Sequence, residues 1–342
     1  MPPGNARHLW KIVVSVALAV ALFAYFLSRA HIAEVGRSLA RANLLWALAS
    51  LLAALGTYVL RSLRWGLILR PVGRVRPGTL IGCTSAGFAT STVLPARAGE
   101  IVRPLLLTAR TGLPAAATLA SILTERLLDG ASVLILFATG VAFASAQMNA
   151  ADVTALRDAA LLTTTGLVGA IALVWFLLRR REAAVARVSG WLPVRFRARA
   201  ASFANHLLDG LEVLRSPLRL AEIAAWSLAL WLLIGFQLAL LARAFAFHMS
   251  LGQAFVVVAV SVVGLAVPTP AGVGGFHAAI QFGLAHLMGV DLATATAYAL
   301  IHHAICFFPI TAVGLGYLGS VGFSLGRVRE LEEQAAPDAE AG

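Results

Sequence analysis

The chain has 342 residues, 59% hydrophobic and only 13% charged, with a mean hydropathy of +0.84. A single soluble core of this size cannot hide so much apolar surface, so the composition excludes a water-soluble domain and indicates an integral membrane protein. The 27 Lys and Arg against 16 Asp and Glu leave a net charge of +11. The cations, nearly all Arg, stand between apolar runs, which reads as a topology signal and an affinity for anionic lipid headgroups rather than a nucleic-acid face.

Uncharged Leu- and Ala-rich runs of helical length recur, and the short alternating segments of an outer-membrane barrel are absent. Leu9 to Leu27 is the first run, flanked by Arg7 and Lys11. No small-residue cleavage site follows it, so it reads as an uncleaved helix with its N-terminus inside. Ala42 to Leu60 returns, and Arg61, Arg64, Arg70, Arg74 and Arg76 then run to Gly78 with no acid among them, the pattern of a cytoplasmic loop. Gly78 to Ala96 is long enough to cross, but it is rich in Ser, Thr and Gly and is followed by Arg97, Arg103 and Arg110. It is expected to dip in and return.

Ala131 to Met148 reads as an outward span, Asp152, Arg157 and Asp158 as an external loop, and Ala159 to Leu178 as the return. The Arg179–Arg219 loop carries nine Arg against Glu182, Asp209 and Glu212 and is placed in the cytoplasm. Ile223 to Ala242 goes out. Ala244 to Phe276 is uncharged apart from His248, Ala278 to Met288 is a short limb, and Leu292 to Leu325 crosses back so that Arg327 and Arg329 are cytoplasmic.

Two breaks punctuate this pattern. Pro95-Ala96-Arg97-Ala98-Gly99 and Pro268-Thr269-Pro270-Ala271-Gly272 share a Pro-x-x-Ala-Gly spacing, and Gly274 and Gly275 follow the second. Proline cannot continue the helical ladder and glycine permits a tight reversal, so each reads as a helix that stops and restarts. The expected fold is all-α and polytopic, with about six full spans and two broken or re-entrant hairpins in an inverted repeat, or eight transmembrane segments if the hairpins cross. A single transmembrane domain over 1–326 and a short disordered cytoplasmic tail over 327–342 complete the expectation.

Charges at membrane depth are costly and are normally paired or turned to a cavity. Glu100 and Arg103 are one turn apart, and Glu125 shares a helix face with Asp129, beside Arg126. Two readings stand: these pairs fasten the first hairpin to the next helix, or they hold a ligand. Arg97 and Arg103, beside a restarting helix with free N–H groups, suit a phosphate, as guanidinium forks match its oxygens; the alternative is a snorkelling interfacial arginine. His277, His302 and His303 suit either proton coupling or interhelical hydrogen bonds. As neighbours, His302 and His303 point to different helix faces. Cys83 and Cys306 lie inside apolar runs and signal no redox chemistry.

No HExxH, P-loop or paired CxxC is present. Asp129-Gly130 and Asp209-Gly210 begin a carboxylate motif of metal-dependent headgroup transferases, but its further aspartates are missing. No metal, cofactor or complete catalytic motif is therefore read.

Arg61-Ser62-Leu63-Arg64-Trp65, Leu94 to Arg103, Glu125-Arg126-Leu127-Leu128-Asp129 and Pro268 to Gly274 together resemble the lysylphosphatidylglycerol synthase transmembrane family of flippase-like proteins. The likeness runs from about Leu9 to Leu325. It implies a bacterial or archaeal cytoplasmic-membrane protein with both termini inside and lipid translocation as its activity. Family members often carry a Glu after the second break and an Arg in the last long helix, where this chain has His277 and His302-His303. The full-length synthases add a soluble aminoacyl-tRNA-dependent domain, which is not found here.

The expected function is translocation of an anionic phospholipid or polyprenyl-phosphate lipid, with its headgroup held between the hairpins by Arg97 and Arg103 and steadied by Glu100, Glu125, Arg126 and Asp129. The alternatives are an intramembrane glycosyl- or headgroup-transferase using Glu100 or Asp129 as general base, and a non-transporting subunit of an envelope-lipid pathway. The expected partners are membrane lipids, with envelope-lipid or glycosyltransferase proteins beside them and no nucleic acid.

Overall fold

The computed structural model describes residues 3–28, 30–94, 98–144, 150–190, 193–267 and 269–322. Among them are thirteen α-helices and no strand: α1 (Pro3–Ser28), α2 (Ile32–Arg41), α3 (Leu44–Leu69), α4 (Pro77–Val93), α5 (Gly99–Thr111), α6 (Ala115–Ala144), α7 (Ala150–Arg179), α8 (Arg181–Gly190), α9 (Val194–Leu211), α10 (Pro217–Ala244), α11 (Leu251–Ala266), α12 (Gly275–Met288) and α13 (Leu292–Ser320). Five of these, α3, α6, α7, α10 and α13, are long and apolar enough to cross a membrane. A sixth span arises if α1 and α2, bent by 83° against each other, count together. The chain is an all-α polytopic membrane protein.

The limbs α4, α5, α11 and α12 have 17, 13, 16 and 14 residues, each short of the ~20 that a straight crossing takes. They fold back in pairs. Gly87 on α4 meets Gly99 and Arg103 on α5, and Gly264 on α11 meets Gly275 and Ala279 on α12, with backbone against backbone in both hairpins. Glycine is required there because a Cβ at Gly99 would fall on the Gly87 carbonyl, and one at Gly264 on the Gly275 carbonyl.

The two halves, α3 to α6 and α10 to α13, repeat a helix–hairpin–helix plan in opposite sense. On the shared α3–α10 seam, Ser50 binds Gln237, Gly56 faces Leu233 and Arg64 binds Ser227, so the helices run antiparallel. The pairing is exchanged across this seam: α4 packs on α13 as α11 packs on α6. Both contacts rest on glycine, Gly314 against Ser85 and Ala89, and Gly140 against Gly252 and Phe255. Ser50 to Ser227, Gly87 to Gly264 and Glu125 to His302 share one spacing along the chain, which sets the register of the repeat. The Pro-x-x-Ala-Gly echo is out of that register. Pro270–Gly272 forms a 3₁₀ turn ahead of the restart at Gly275, whereas Gly99 itself begins α5.

The hairpins open at opposite ends of the bundle. Arg70 at the end of α3 reaches Glu222 in α10 and Gly73 abuts Leu113 just past α5, so the open end of the first hairpin lies there. At the other end, the Asn43 N–H donates to the Ala244 carbonyl (2.8 Å), beside the start of α11 and the end of α12.

Several expectations are corrected. Arg61 and Arg64 are in α3 rather than a loop, because nothing breaks the helix before Pro71. The span expected from Ala131 begins at Ala115, since the intervening Glu125 and Asp129 are buried and paired inside the protein. Arg157 and Asp158 belong to α7, not to a loop. Arg179–Arg219 folds into α8, α9 and a 3₁₀ turn, with Gly210 of α9 seated against Ala117 and Ala120 of α6. The amphipathic α2 was not anticipated; it buries Val35 against Ala293 and Ala297 of α13. The tail over 327–342 lies outside the described residues.

Candidate functional site

Helical spacing builds a charged cluster at the centre of the first half. Arg61 and Arg64 stand one turn apart on α3, Glu125 and Asp129 one turn apart on α6, and Arg103 arrives from α5. Asp129 Oδ1 accepts from Arg64 Nη1 at 2.6 Å and from Trp231 Nε1 at 3.0 Å, and Oδ2 accepts from Arg61 at 3.1 Å. Glu125 Oε1 accepts from Arg103 Nη1 at 3.1 Å, with Arg61 and Arg64 each at 3.5 Å. Arg103 also lies over Trp65, its guanidinium carbon 3.9 Å from the ring centroid, a cation–π contact strengthened by desolvation.

Arg64 and Glu125 are fully buried, and Arg103, Asp129 and Arg61 nearly so. Arg126 and Glu100 are half-exposed and face each other at 3.9 Å. Arg103 and Glu100, one turn apart in sequence, are therefore not partners: α5 turns Arg103 inward to Glu125 and leaves Glu100 at the mouth.

A cavity of about 240 Å³ opens between the two hairpins. Arg61, Arg103, Arg126 and Glu100 line one side, with Gly87, Ser91 and Thr92 of α4. Gln237, His302, Thr269 and Ser261 line the other, among apolar Leu265, Phe276 and Phe307. Glu125 and Asp129 hold the arginines from behind and do not line it. Three buried guanidiniums stand against two buried carboxylates, and among the described residues Arg103 Nε and Nη2 have no hydrogen-bond partner.

The second break carries the histidines. His303 Nε2 lies 3.0 Å from the Ala271 carbonyl and its ring stacks on Phe307. His277 Nδ1 accepts from the Gly274 N–H, and its ring packs against Phe23 and Phe26 of α1. These bonds tie down the turn, where Ala271, Gly272 and Gly274 all have positive φ. Of the three histidines only His302 lines the cavity. Pro95, Arg97 and Pro268 lie outside the described residues.

The sequence reading overlooked Arg61, Arg64, Ser227, Trp231, Gln237 and Thr269 as site residues. The available signal was two arginines at i, i+3 in a stretch with no helix breaker. Among the described residues no His, Cys, Asp and Glu group is arranged to hold a metal.

Fold and cavity together define a polytopic helical membrane protein whose two opposed hairpins enclose a buried, cation-rich polar site. The chain belongs to the lysylphosphatidylglycerol synthase transmembrane-region family, whose model matches residues 12–314. It is also similar to Glycosyltransferase AglD of Haloferax volcanii, 27% identical over 303 residues that cover 79% of this chain and 48% of that protein. The chain thus spans about half the length of this curated relative.

Proposed function

We propose that this protein translocates an anionic lipid, binding its phosphate in the cavity between the hairpins while the acyl or prenyl tail stays in the bilayer. The observation that carries the reading is the unbalanced guanidinium: Arg103 lines the cavity, its Nε and Nη2 are buried without a partner among the described residues, and the described cluster is one negative charge short of neutrality. Buried charge is tolerated when paired, so an anion completes the site. Hairpins open to opposite ends give the headgroup a route past either tip, as in transporters built from inverted repeats. Arg97, which the sequence places within the first break, is a further candidate for the phosphate.

Neutralising Arg103 tests this directly. Glu125 keeps Arg61, Arg64 and Arg126 as partners, so Arg103→Gln should fold. Anionic-lipid binding should fall on the order of tenfold or more, because a hydrogen bond to a charged group is worth about 1.5–3 kcal/mol. Unchanged binding and transport in reconstituted vesicles would remove Arg103 from the site.

We place the protein in a bacterial or archaeal cytoplasmic membrane, with the end bearing Arg70, Arg74, Arg76, Arg110 and Arg219 inside by the positive-inside rule. In a Cys83→Ala, Cys306→Ala background, Arg74→Cys should react with an impermeant thiol reagent only after permeabilisation, and His248→Cys in intact cells. The reverse pattern would invert the orientation.

The relative's name favours a second reading, glycosyl transfer at the membrane. Against it, Asp129 is engaged by three donors behind the cavity wall and Glu100 faces Arg126. Lipid movement in vesicles that lack any sugar donor supports the translocase, and turnover of a radiolabelled donor without it supports the transferase.

A further inference from the structure

The cavity wall contributed by the second half has no established role. Its polar groups follow the same plan as the charged cluster, with neutral residues. Ser227 of α10 receives Arg64; its counterpart Ser50 of α3 receives Gln237. Glu125 of α6 anchors Arg103; at the corresponding place on α13, His302 bonds Gln237 at 3.2 Å.

The direction of these bonds can be traced. Ser50 Oγ donates to the Gln237 carbonyl at 3.1 Å, so it can only accept from the Gln237 Nε2 at 3.0 Å. The amide is thereby oriented with Oε1 toward His302, whose Nε2–H must donate to it. A neutral His302 then carries its acceptor on Nδ1, and among the described residues that atom has no partner. Thr269 Oγ1, on the rim of the second break, is likewise buried and without a partner. Both residues line the cavity opposite Arg103. An acceptor and a hydroxyl, both without a partner among the described residues and both on residues of this wall, match a ligand hydroxyl, which can donate to one and exchange a bond with the other.

We infer that this wall is a hydroxyl-binding subsite. Resting on the phosphate reading above, this narrows the cargo to a lipid whose phosphate carries a neutral, hydroxylated group such as a polyol or sugar. An ammonium headgroup is disfavoured, because the one carboxylate among the described lining residues, Glu100, already faces Arg126.

Binding to the purified full chain in detergent, read by native mass spectrometry or fluorescence quenching, tests the inference with three probes that share one phosphodiester. Phosphatidylglycerol carries hydroxyls, phosphatidylmethanol carries none, and phosphatidylethanolamine carries an ammonium. Phosphatidylglycerol should bind about three- to tenfold tighter than phosphatidylmethanol, the range for one or two net neutral hydrogen bonds, and phosphatidylethanolamine weakest. Thr269→Val or His302→Phe should bring phosphatidylglycerol down to the level of phosphatidylmethanol on the unaltered protein.

Equal binding of phosphatidylglycerol and phosphatidylmethanol, both above diacylglycerol, which has no phosphate, overturns the subsite and leaves the phosphate site standing. Diacylglycerol bound as tightly as phosphatidylglycerol removes the phosphate site itself. Because the probe comparison is made on the unaltered protein, it decides the matter even where a variant fails to fold.

Discussion

Asp129→Asn should cost about 3–5 kcal/mol of stability, seen as a large drop in thermal unfolding in detergent, because it leaves guanidiniums buried without their counter-charge. Asp129 receives Arg64 at 2.6 Å, Trp231 at 3.0 Å and Arg61 at 3.1 Å, and Arg64 has no solvent to turn to. The double substitution Arg64→Gln, Asp129→Asn should recover much of the loss, since it returns the cluster to its original charge balance; the non-additivity in the cycle measures the coupling. Glu100→Gln, at the half-exposed mouth, should change stability by no more than ~1 kcal/mol. An Asp129→Asn protein as stable as the original would mean that water or lipid already screens the cluster.

Gly99→Val should disable the protein by spreading the first hairpin. The Cβ alone would overlap the Gly87 carbonyl and crowd Ser91 Oγ, and a backbone carbonyl cannot swing aside as a side-chain end can. The cost should reach or exceed the ~1–3 kcal/mol usual for overpacking. Arg103 follows one turn later on α5 and itself packs on Gly87, so the guanidinium is displaced along with the helix and lipid binding is lost even in protein that still folds. Gly316→Ala is the control: nothing lies within 4 Å of its Cβ position, and removing a helical glycine should stabilise by about 0.5–1 kcal/mol. Normal expression and lipid binding of Gly99→Val would show that the hairpin limbs are not packed backbone to backbone.

These two sites also show how much was legible beforehand. The broken helices at Gly99 and at Pro270 to Gly275 were visible because proline and glycine act locally, on hydrogen bonds within a few residues. The shared face of Glu125 and Asp129 was visible because helical periodicity is local too. The partner of Arg103 was not, since Glu100 and Glu125 are both acids within reach of some folding of the chain. Arg61 and Arg64 were misplaced because a hydropathy reading ends a span at its first charge, whereas a helix ends only where its backbone ladder is broken.

The sequence by itself determined the membrane environment, the helical class, the two interrupted hairpins and the family, since composition, periodicity and short motifs carry all four. Only the tertiary structure decided which charges meet. It drew Arg61, Arg64, Arg103, Glu125 and Asp129 from three helices into one cluster, left Glu100 to Arg126, and set the neutral Ser50–Gln237–His302 chain across the cavity. The physical reason is that burial makes an unpaired charge prohibitively costly while leaving open which opposite charge satisfies it. That choice is made by helix packing, and here the packing is set by glycine contacts between segments far apart in the chain.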